Sequence, residues 1–288
     1  MKKKLLLCLI IFLVICDAAC NGQSTKGHLV IIGGGDKTTE IMQKIVDFAG
    51  GVNAKIIIIP NASSEPLESA LYNQDEFKNL GCKNVDYLIF NRADADKDSL
   101  VQKLSGATGI FFSGGDQAFL TRDMLGSKLL SKVYEIYNKG GVISGTSAGA
   151  AVMSKVMITG NELINKDSTD IFITIQKGNV EIKEGFGFIK SAFIDQHFIK
   201  RKRLNRSISI ALEYPKLLGI CIDESTCIIV NPDDTFEVLG ENQVIVLDAT
   251  NSSNIEVDKN GNLGAQNIRL DILLSGNKFD LKTKSVIE

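Results

Sequence analysis

The chain has 288 residues, 44% of them hydrophobic, enough to bury one large core or two modest ones. Thirty-two basic residues against 34 acidic ones leave a net charge of −2, so no global field recruits nucleic acid or a membrane surface. Nucleic-acid binding is therefore disfavoured, and a single α/β domain is the simplest expectation.

At the N-terminus, Lys2, Lys3 and Lys4 precede an apolar run over 5–15, too short to span a bilayer. With Asp17-Ala18-Ala19-Cys20 behind it, the run reads as an export signal over residues 1–19. The small residues before Cys20 and the polar stretch after it resemble a bacterial lipoprotein signal, with Cys20 as the lipidated first residue. Asp17 departs from that pattern, which prefers an apolar residue there. A conventional cleaved signal and an uncleaved anchor are the competing expectations. Residues 20–27 form a linker, and 28–288 a single domain. Of the six cysteines, Cys8 and Cys16 would leave with the signal and Cys20 would carry lipid. Cys82, Cys221 and Cys227 remain, spaced for neither a disulfide framework nor zinc, and are expected as buried free thiols.

Residues 28–32 form a short apolar run ending in Gly33-Gly34-Gly35, and 55–59 form a second ending at Pro60. Runs of this kind suit strands buried on both faces of a parallel sheet. Between them, 37–49 places Ile41, Ile45, Val46 and Phe48 near helical spacing, completing a βαβ unit. The glycine run invites a nucleotide-binding reading. However, Thr38 stands where GxGxxG needs its last glycine and no GxxxxGK[ST] occurs, so a plain tight turn is expected.

The alternation continues with a helix over 65–80, a strand over 84–90, a helix over 95–104 and a strand over 109–112. A helix over 117–130 carries Phe119, Leu120, Met124, Leu125 and Leu129 on one period. The pattern is that of a doubly wound, mostly parallel α/β sheet whose ligand crevice lies at the carboxyl ends of its strands. The segment 156–187 is polar and reads as a loop-rich insertion over that crevice. A strand through Phe193 and Ile194 leads into a helix over 199–213 stopped by Pro215. A strand over 217–222 and a C-terminal β-rich addition to the same domain follow.

The chemistry centres on Gly145-Thr146-Ser147-Ala148-Gly149, a GxSxG match at the junction of an apolar strand and a helix starting near Ala148. A serine in such an elbow is exposed at the turn, and the helix start offers a backbone N–H for an oxyanion. Alone, the match also describes a glycine-lined turn packing a helix on a sheet. Ser147 needs a base, and the chain has two histidines. His28 opens the first strand beside the linker, which leaves His197. The carboxylate orienting His197 is either Glu224, on the same sheet edge, or Asp195, two residues away.

Five ordered motifs carry a family resemblance: Phe112-Ser113-Gly114-Gly115-Asp116-Gln117, Gly145 to Ala150, Asp195-Gln196-His197-Phe198, Arg201-Lys202-Arg203 through Arg206, and Ile222-Asp223-Glu224. In order and spacing they resemble the cyanophycinases of the S51 serine peptidases. The resemblance covers nearly the whole mature chain. It implies a class-I-glutamine-amidotransferase-like sheet, a triad of Ser147, His197 and Glu224, and an oxyanion hole from the N–H groups of Gly115 and Ala148. It also implies substrate contacts from Gln117, Asp195, Gln196, Arg201, Arg203 and Arg206, with no metal and no cofactor. Cys221 and Cys227 depart from the family pattern, and 156–187 matches nothing in it.

The resemblance further implies an exported serine hydrolase cleaving the β-aspartyl-arginine linkages of cyanophycin, a polyaspartate with arginine on each side-chain carboxyl, to β-Asp-Arg dipeptides. Arg201, one turn after His197, is placed to hold a substrate carboxylate bidentately. An Asp-directed dipeptidase or isoaspartyl peptidase of the same family, and an inactive surface-binding lipoprotein, are the alternatives. The expected partners are a peptide or polymer substrate and a membrane reached only through the lipid anchor, with a homodimer left open.

Overall fold

A computed structural model describes residues 26–166 and 171–288; the segment read as an export signal, Cys20 and most of the expected linker lie outside them, as do Asp167 and Ser168. Strands β1 (Leu29–Ile32), β2 (Lys55–Ile59), β3 (Asn84–Tyr87), β4 (Gly109–Phe112) and β5 (Val142–Thr146) alternate with helices. These helices are α1 (Thr39–Phe48), α2 (Pro66–Asn79), α3 (Asp98–Lys103), α4 (Gln117–Met124), α5 (Lys128–Asn138) and α6 (Ala148–Ala151). The five strands run parallel in the order β1-β5-β4-β2-β3, and β1, β4 and β5 are buried along their whole length. That two-sided burial is why they read as unbroken apolar runs rather than alternating ones.

Beyond α6 come β6 (Val156–Glu162), β7 (Val180–Glu184), β8 (Ala192–Asp195), α7 (Leu204–Glu213), β9 (Leu218–Ile222) and β10 (Thr226–Val230). The chain ends with β11 (Thr235–Gly240), β12 (Val244–Asp248), β13 (Ser253–Val257), β14 (Leu263–Gln266), β15 (Arg269–Leu273), β16 (Lys278–Asp280) and β17 (Ser285–Ile287). Strand β10 pairs antiparallel with the free side of β1, and β11, β16 and β17 extend the sheet outward from it. Strands β8, β9, β12 and β15 form a second, four-stranded sheet in the order β15-β12-β9-β8. Much of the C-terminal β-rich region is thus built into the two sheets. One buried cluster runs from Leu29 through Ile143, Ile194 and Ile220 to Phe279, tying both sheets together.

Three local expectations change. The helix expected over 117–130 is two helices, because Gly126 turns left-handed at φ 70° and Ser127 caps α5 by accepting the Leu130 N–H at 3.1 Å. The loop-rich 156–187 contains a β6–β7 hairpin, whose polar Thr159 and Asn161 are satisfied across it by Glu181 at 2.8 Å each. Helix α7 starts at Leu204 rather than Ile199, since His197 and Lys202 adopt positive φ of 48° and 53° and wind 198–203 into turns. Among the described residues, no helix is long and apolar enough to cross a membrane.

The pairing of β1 positions the site. Its last residue, Ile32, lies opposite Thr146 on β5 and opposite Cys227 on β10. The elbow and the segment carrying Glu224 therefore flank one strand end.

Candidate active site

Ser147 sits in the turn between β5 and α6 with φ 53° and ψ −107°, a conformation that costs a non-glycine residue on the order of 1–3 kcal/mol. It is held by its N–H donating to the Ile32 carbonyl at 3.0 Å, while the Ala150 and Ala151 N–H groups donate back to the Ser147 carbonyl at 3.0 Å. Both elbow glycines are required by close approach: a Cβ on Gly145 would lie 2.5 Å from the Gly149 carbonyl oxygen, and one on Gly149 would lie 2.3 Å from that of Phe112. Helix α6 is a single turn, so what its start has to offer an anion is the orphan N–H of its first residue, Ala148, rather than a developed dipole. The turn after β4 lies alongside, with a Cβ position on Gly114 only 3.6 Å from the Ser147 Cβ.

His197 follows β8. Its Nε2 lies 2.9 Å from Ser147 Oγ and its Nδ1 lies 2.7 Å from Glu224 Oε1. A carboxylate only accepts, so Nδ1 carries the hydrogen and Nε2 faces the serine as an acceptor. Burial lowers the His197 pKa below its ordinary value of 6.5, and the charges of Arg201 and Arg203 lower it further against the opposing pull of Glu224. The imidazole is therefore neutral at neutral pH, the form able to take a proton from a hydroxyl.

The carboxylate turned toward the imidazole is that of Glu224. Asp195 is fully buried and faces the other way, accepting from Arg206 Nε at 2.9 Å, from Arg206 Nη2, and from Ser207 Oγ at 2.6 Å. Burial alone would raise its pKa, but Arg206, Arg203 and Ser207 outweigh burial and hold it below the usual value. Arg206 also lies over the Phe172 ring, 5.8 Å from its centroid.

The side chains of Arg206 and Asp195, expected at the substrate, keep only 3% and 0% of their surface and are engaged with each other. Arg203 Nη1 donates to the Gln196 carbonyl at 2.6 Å and to Gln196 Oε1, bracing the segment that carries His197. Gln117 Nε2 donates to the Ile158 and Thr159 carbonyls at 2.8 and 2.6 Å, binding α4 to the β6–β7 hairpin. Gln117, Gln196 and Arg203 thus act as braces. Arg201 alone of the three arginines is exposed, with its charge felt at His197.

Other braces had no local signature in the sequence. Asp223 Oδ1 accepts the Ile199 and Lys200 N–H groups at 3.1 and 3.0 Å, capping the turn after His197. Asn242 Nδ2 and Thr226 Oγ1 donate to the Glu224 carbonyl at 2.8 and 3.1 Å. Only Asp223 lay inside a motif already singled out. Cys82, Cys221 and Cys227 are buried free thiols, and burial raises the pKa of each, which keeps them protonated and unreactive. Among the described residues, no group of three or more His, Cys, Asp or Glu side chains could hold a metal ion.

The pattern defining peptidase family S51 matches residues 29–238. A cyanophycinase of Synechococcus elongatus is 36% identical over 272 residues, covering 91% of this chain and 81% of that protein. A cyanophycinase of a Nostoc species is 33% identical over 273 residues, covering 92% of this chain and 89% of that one. The fold matches that of a peptidase from an acI-B1 Actinobacterium, with a TM-score of 0.66 and 23% identity over 90% of this chain and 98% of the other. The chain therefore belongs to peptidase family S51 and is a serine-type peptidase.

Proposed function

We propose that this peptidase degrades cyanophycin to β-Asp-Arg dipeptides, with Ser147 as nucleophile, His197 as general base and Glu224 as the orienting acid. The observation that carries the reading is the hydrogen-bonded relay from Ser147 Oγ through the imidazole to Glu224 Oε1, at 2.9 and 2.7 Å. It stands in a chain that aligns over nearly all of its length with cyanophycinases.

His197 Nε2 takes the Ser147 proton as Oγ attacks the scissile carbonyl carbon, and the carbonyl electron pair moves onto oxygen. The N–H groups of Gly115 and Ala148 are the donors we assign to that oxyanion. The imidazolium, stabilised by Glu224, gives its proton to the leaving amine, and water then repeats the sequence on the acyl-enzyme. Atom balance refines the expected bond. Intact β-Asp-Arg is released only when the main-chain bond between aspartates is cut, whereas hydrolysis at the β-aspartyl-arginine linkage itself would free arginine. Main-chain cleavage therefore replaces the expectation of cleavage at that linkage.

Each arginine of cyanophycin keeps a free carboxylate, and the exposed guanidinium of Arg201 is the group we assign to it. The peptidase acts outside the cytoplasm in this proposal, exported by residues 1–19 and anchored through a lipid on Cys20. Cyanophycin, matched α-linked Asp-Arg peptides and isoaspartyl dipeptides offered side by side test the substrate. A clear preference for cyanophycin is expected: the scissile β-carbonyl of an isoaspartyl dipeptide lies one methylene out of the main-chain register, which an oxyanion hole fixed within about 0.5 Å cannot also serve, and α-linked Asp-Arg peptides share the register but lack the side-chain arginine carboxylate assigned to Arg201. Comparable rates on all three would favour a general Asp-directed or isoaspartyl peptidase.

A further inference from the structure

The glycine run after β1 has a place in the site that its sequence does not announce. Three consecutive carbonyls there accept from three segments far apart in the chain. Ile32 accepts the N–H of Ser147 at 3.0 Å, Gly33 accepts that of His197 at 2.7 Å, and Gly34 accepts that of Ser225, next to Glu224, at 2.9 Å. The Gly33 N–H donates in turn to the Thr226 carbonyl at 2.9 Å. The three residues so held, Ser147, His197 and Ser225, all adopt positive φ, at 53°, 48° and 52°.

The faces of the same turn are flush against the side chains of the relay. A Cβ on Gly34 would lie 2.2 Å from His197 Cε1, 2.4 Å from Nε2 and 2.8 Å from Nδ1, inside the imidazole itself. A Cβ on Gly35 would lie 2.8 Å from Glu224 Cβ and 3.1 Å from its Cγ. The imidazole is tied at both ring nitrogens, and a shift of Glu224 would break its hydrogen bond to Nδ1.

We infer that the Ile32–Gly35 turn is the positioning element of the relay: its carbonyls fix the backbones of all three relay segments, and Gly34 and Gly35 set the seats of the imidazole and the carboxylate. The inference rests on the catalytic reading of Ser147, His197 and Glu224. Its physical content is that a methyl group at Gly34 moves the proton-transferring imidazole, and one at Gly35 the carboxylate that orients it, by a distance of bond-length order. Misplacement of about 1 Å at a reacting group costs on the order of a hundredfold in rate.

The molecule supplies matched controls. Gly50 has the same φ as Gly34, 107°, and a Cβ there meets nothing within 4 Å; Gly106, at φ 72°, stands in the same relation to Gly35 at φ 67°. Gly50→Ala and Gly106→Ala therefore carry the backbone strain of a left-handed alanine without the collision. The assay is the rate at which a fluorophosphonate labels Ser147 in the purified full chain, together with kcat and KM on cyanophycin.

Gly34→Ala and Gly35→Ala should label on the order of a hundredfold more slowly, with the loss in kcat and KM little changed. Gly50→Ala and Gly106→Ala should label at the wild-type rate. Equal labelling of Gly34→Ala and Gly50→Ala overturns the inference, whereas wild-type protein unlabelled at Ser147 overturns the catalytic reading beneath it. Should Gly34→Ala be too unstable to assay, a thermal cycle with His197→Gly decides. The Tm loss caused by Gly34→Ala should shrink to that of Gly50→Ala once the imidazole is gone, and an unchanged loss refutes the seat.

Discussion

The two carboxylates near His197 should fail in different ways when neutralised. Asp195→Asn leaves Arg206 buried without its counter-charge, with only 3% of the arginine side chain exposed. Removing one partner of a buried pair costs about 3–5 kcal/mol. In a domain of this size, at about 2–4 °C per kcal/mol, the Tm should fall by roughly 6–20 °C. Glu224→Gln instead removes a charge from a carboxylate whose side chain is 24% exposed and whose partner is the imidazole. Its amide oxygen still accepts from Nδ1, so the tautomer survives and the stabilisation of the imidazolium is what weakens. A charge-assisted hydrogen bond is worth about 1.5–3 kcal/mol, so kcat should fall roughly ten- to hundred-and-fifty-fold with a much smaller change in Tm. The assay pairs thermal melts of both variants with turnover measured well below either Tm. An Asp195→Asn protein that melts like wild type yet loses more kcat than Glu224→Gln would refute both the assignment of the orienting acid and the bracing role of Asp195.

The remaining predictions concern the base, the exposed arginine and the N-terminus. Because burial and the neighbouring arginines lower the His197 pKa, the imidazole stays neutral down to below pH 6.5, and kcat/KM should fall only as pH drops through that lowered value. Arg201→Gln removes one lowering charge and should move the acid limb of the profile upward; a downward move contradicts the electrostatics. Arg201→Lys keeps charge but loses the planar fork, so kcat/KM on cyanophycin should fall about ten- to hundredfold, or ~1.5–3 kcal/mol, with Tm unchanged. An indifferent variant would remove Arg201 from substrate recognition. Radiolabelled palmitate should enter wild-type protein in a bacterial host but not Cys20→Ala, and equal labelling of the two would exclude Cys20 as the lipid site.

The strands were legible because burial on both faces turns β1, β4 and β5 into continuous apolar runs, and Ser147 because GxSxG describes a local steric need met by Gly145 and Gly149. What stayed hidden depends on partners distant in sequence. Whether Glu224 or Asp195 faces the imidazole turns on Arg206, which claims Asp195 from eleven positions away. The β6–β7 hairpin looked like loop because its polar residues are satisfied across the pair, by Glu181, rather than by solvent. Gly33-Gly34-Gly35 reads as an ordinary turn, since its contacts with His197, Ser225 and Glu224 exist only once the segments after β8 and β9 have been brought against the end of β1.

Digestion of cyanophycin in ¹⁸O-labelled water, followed by mass spectrometry of the products, tests the central claim most directly. Serine-mediated main-chain hydrolysis predicts intact β-Asp-Arg with the heavy oxygen in the aspartyl α-carboxyl, formed by wild-type protein and absent with Ser147→Ala. Free arginine with label in the aspartyl β-carboxyl, or the same dipeptide from Ser147→Ala protein, would contradict it.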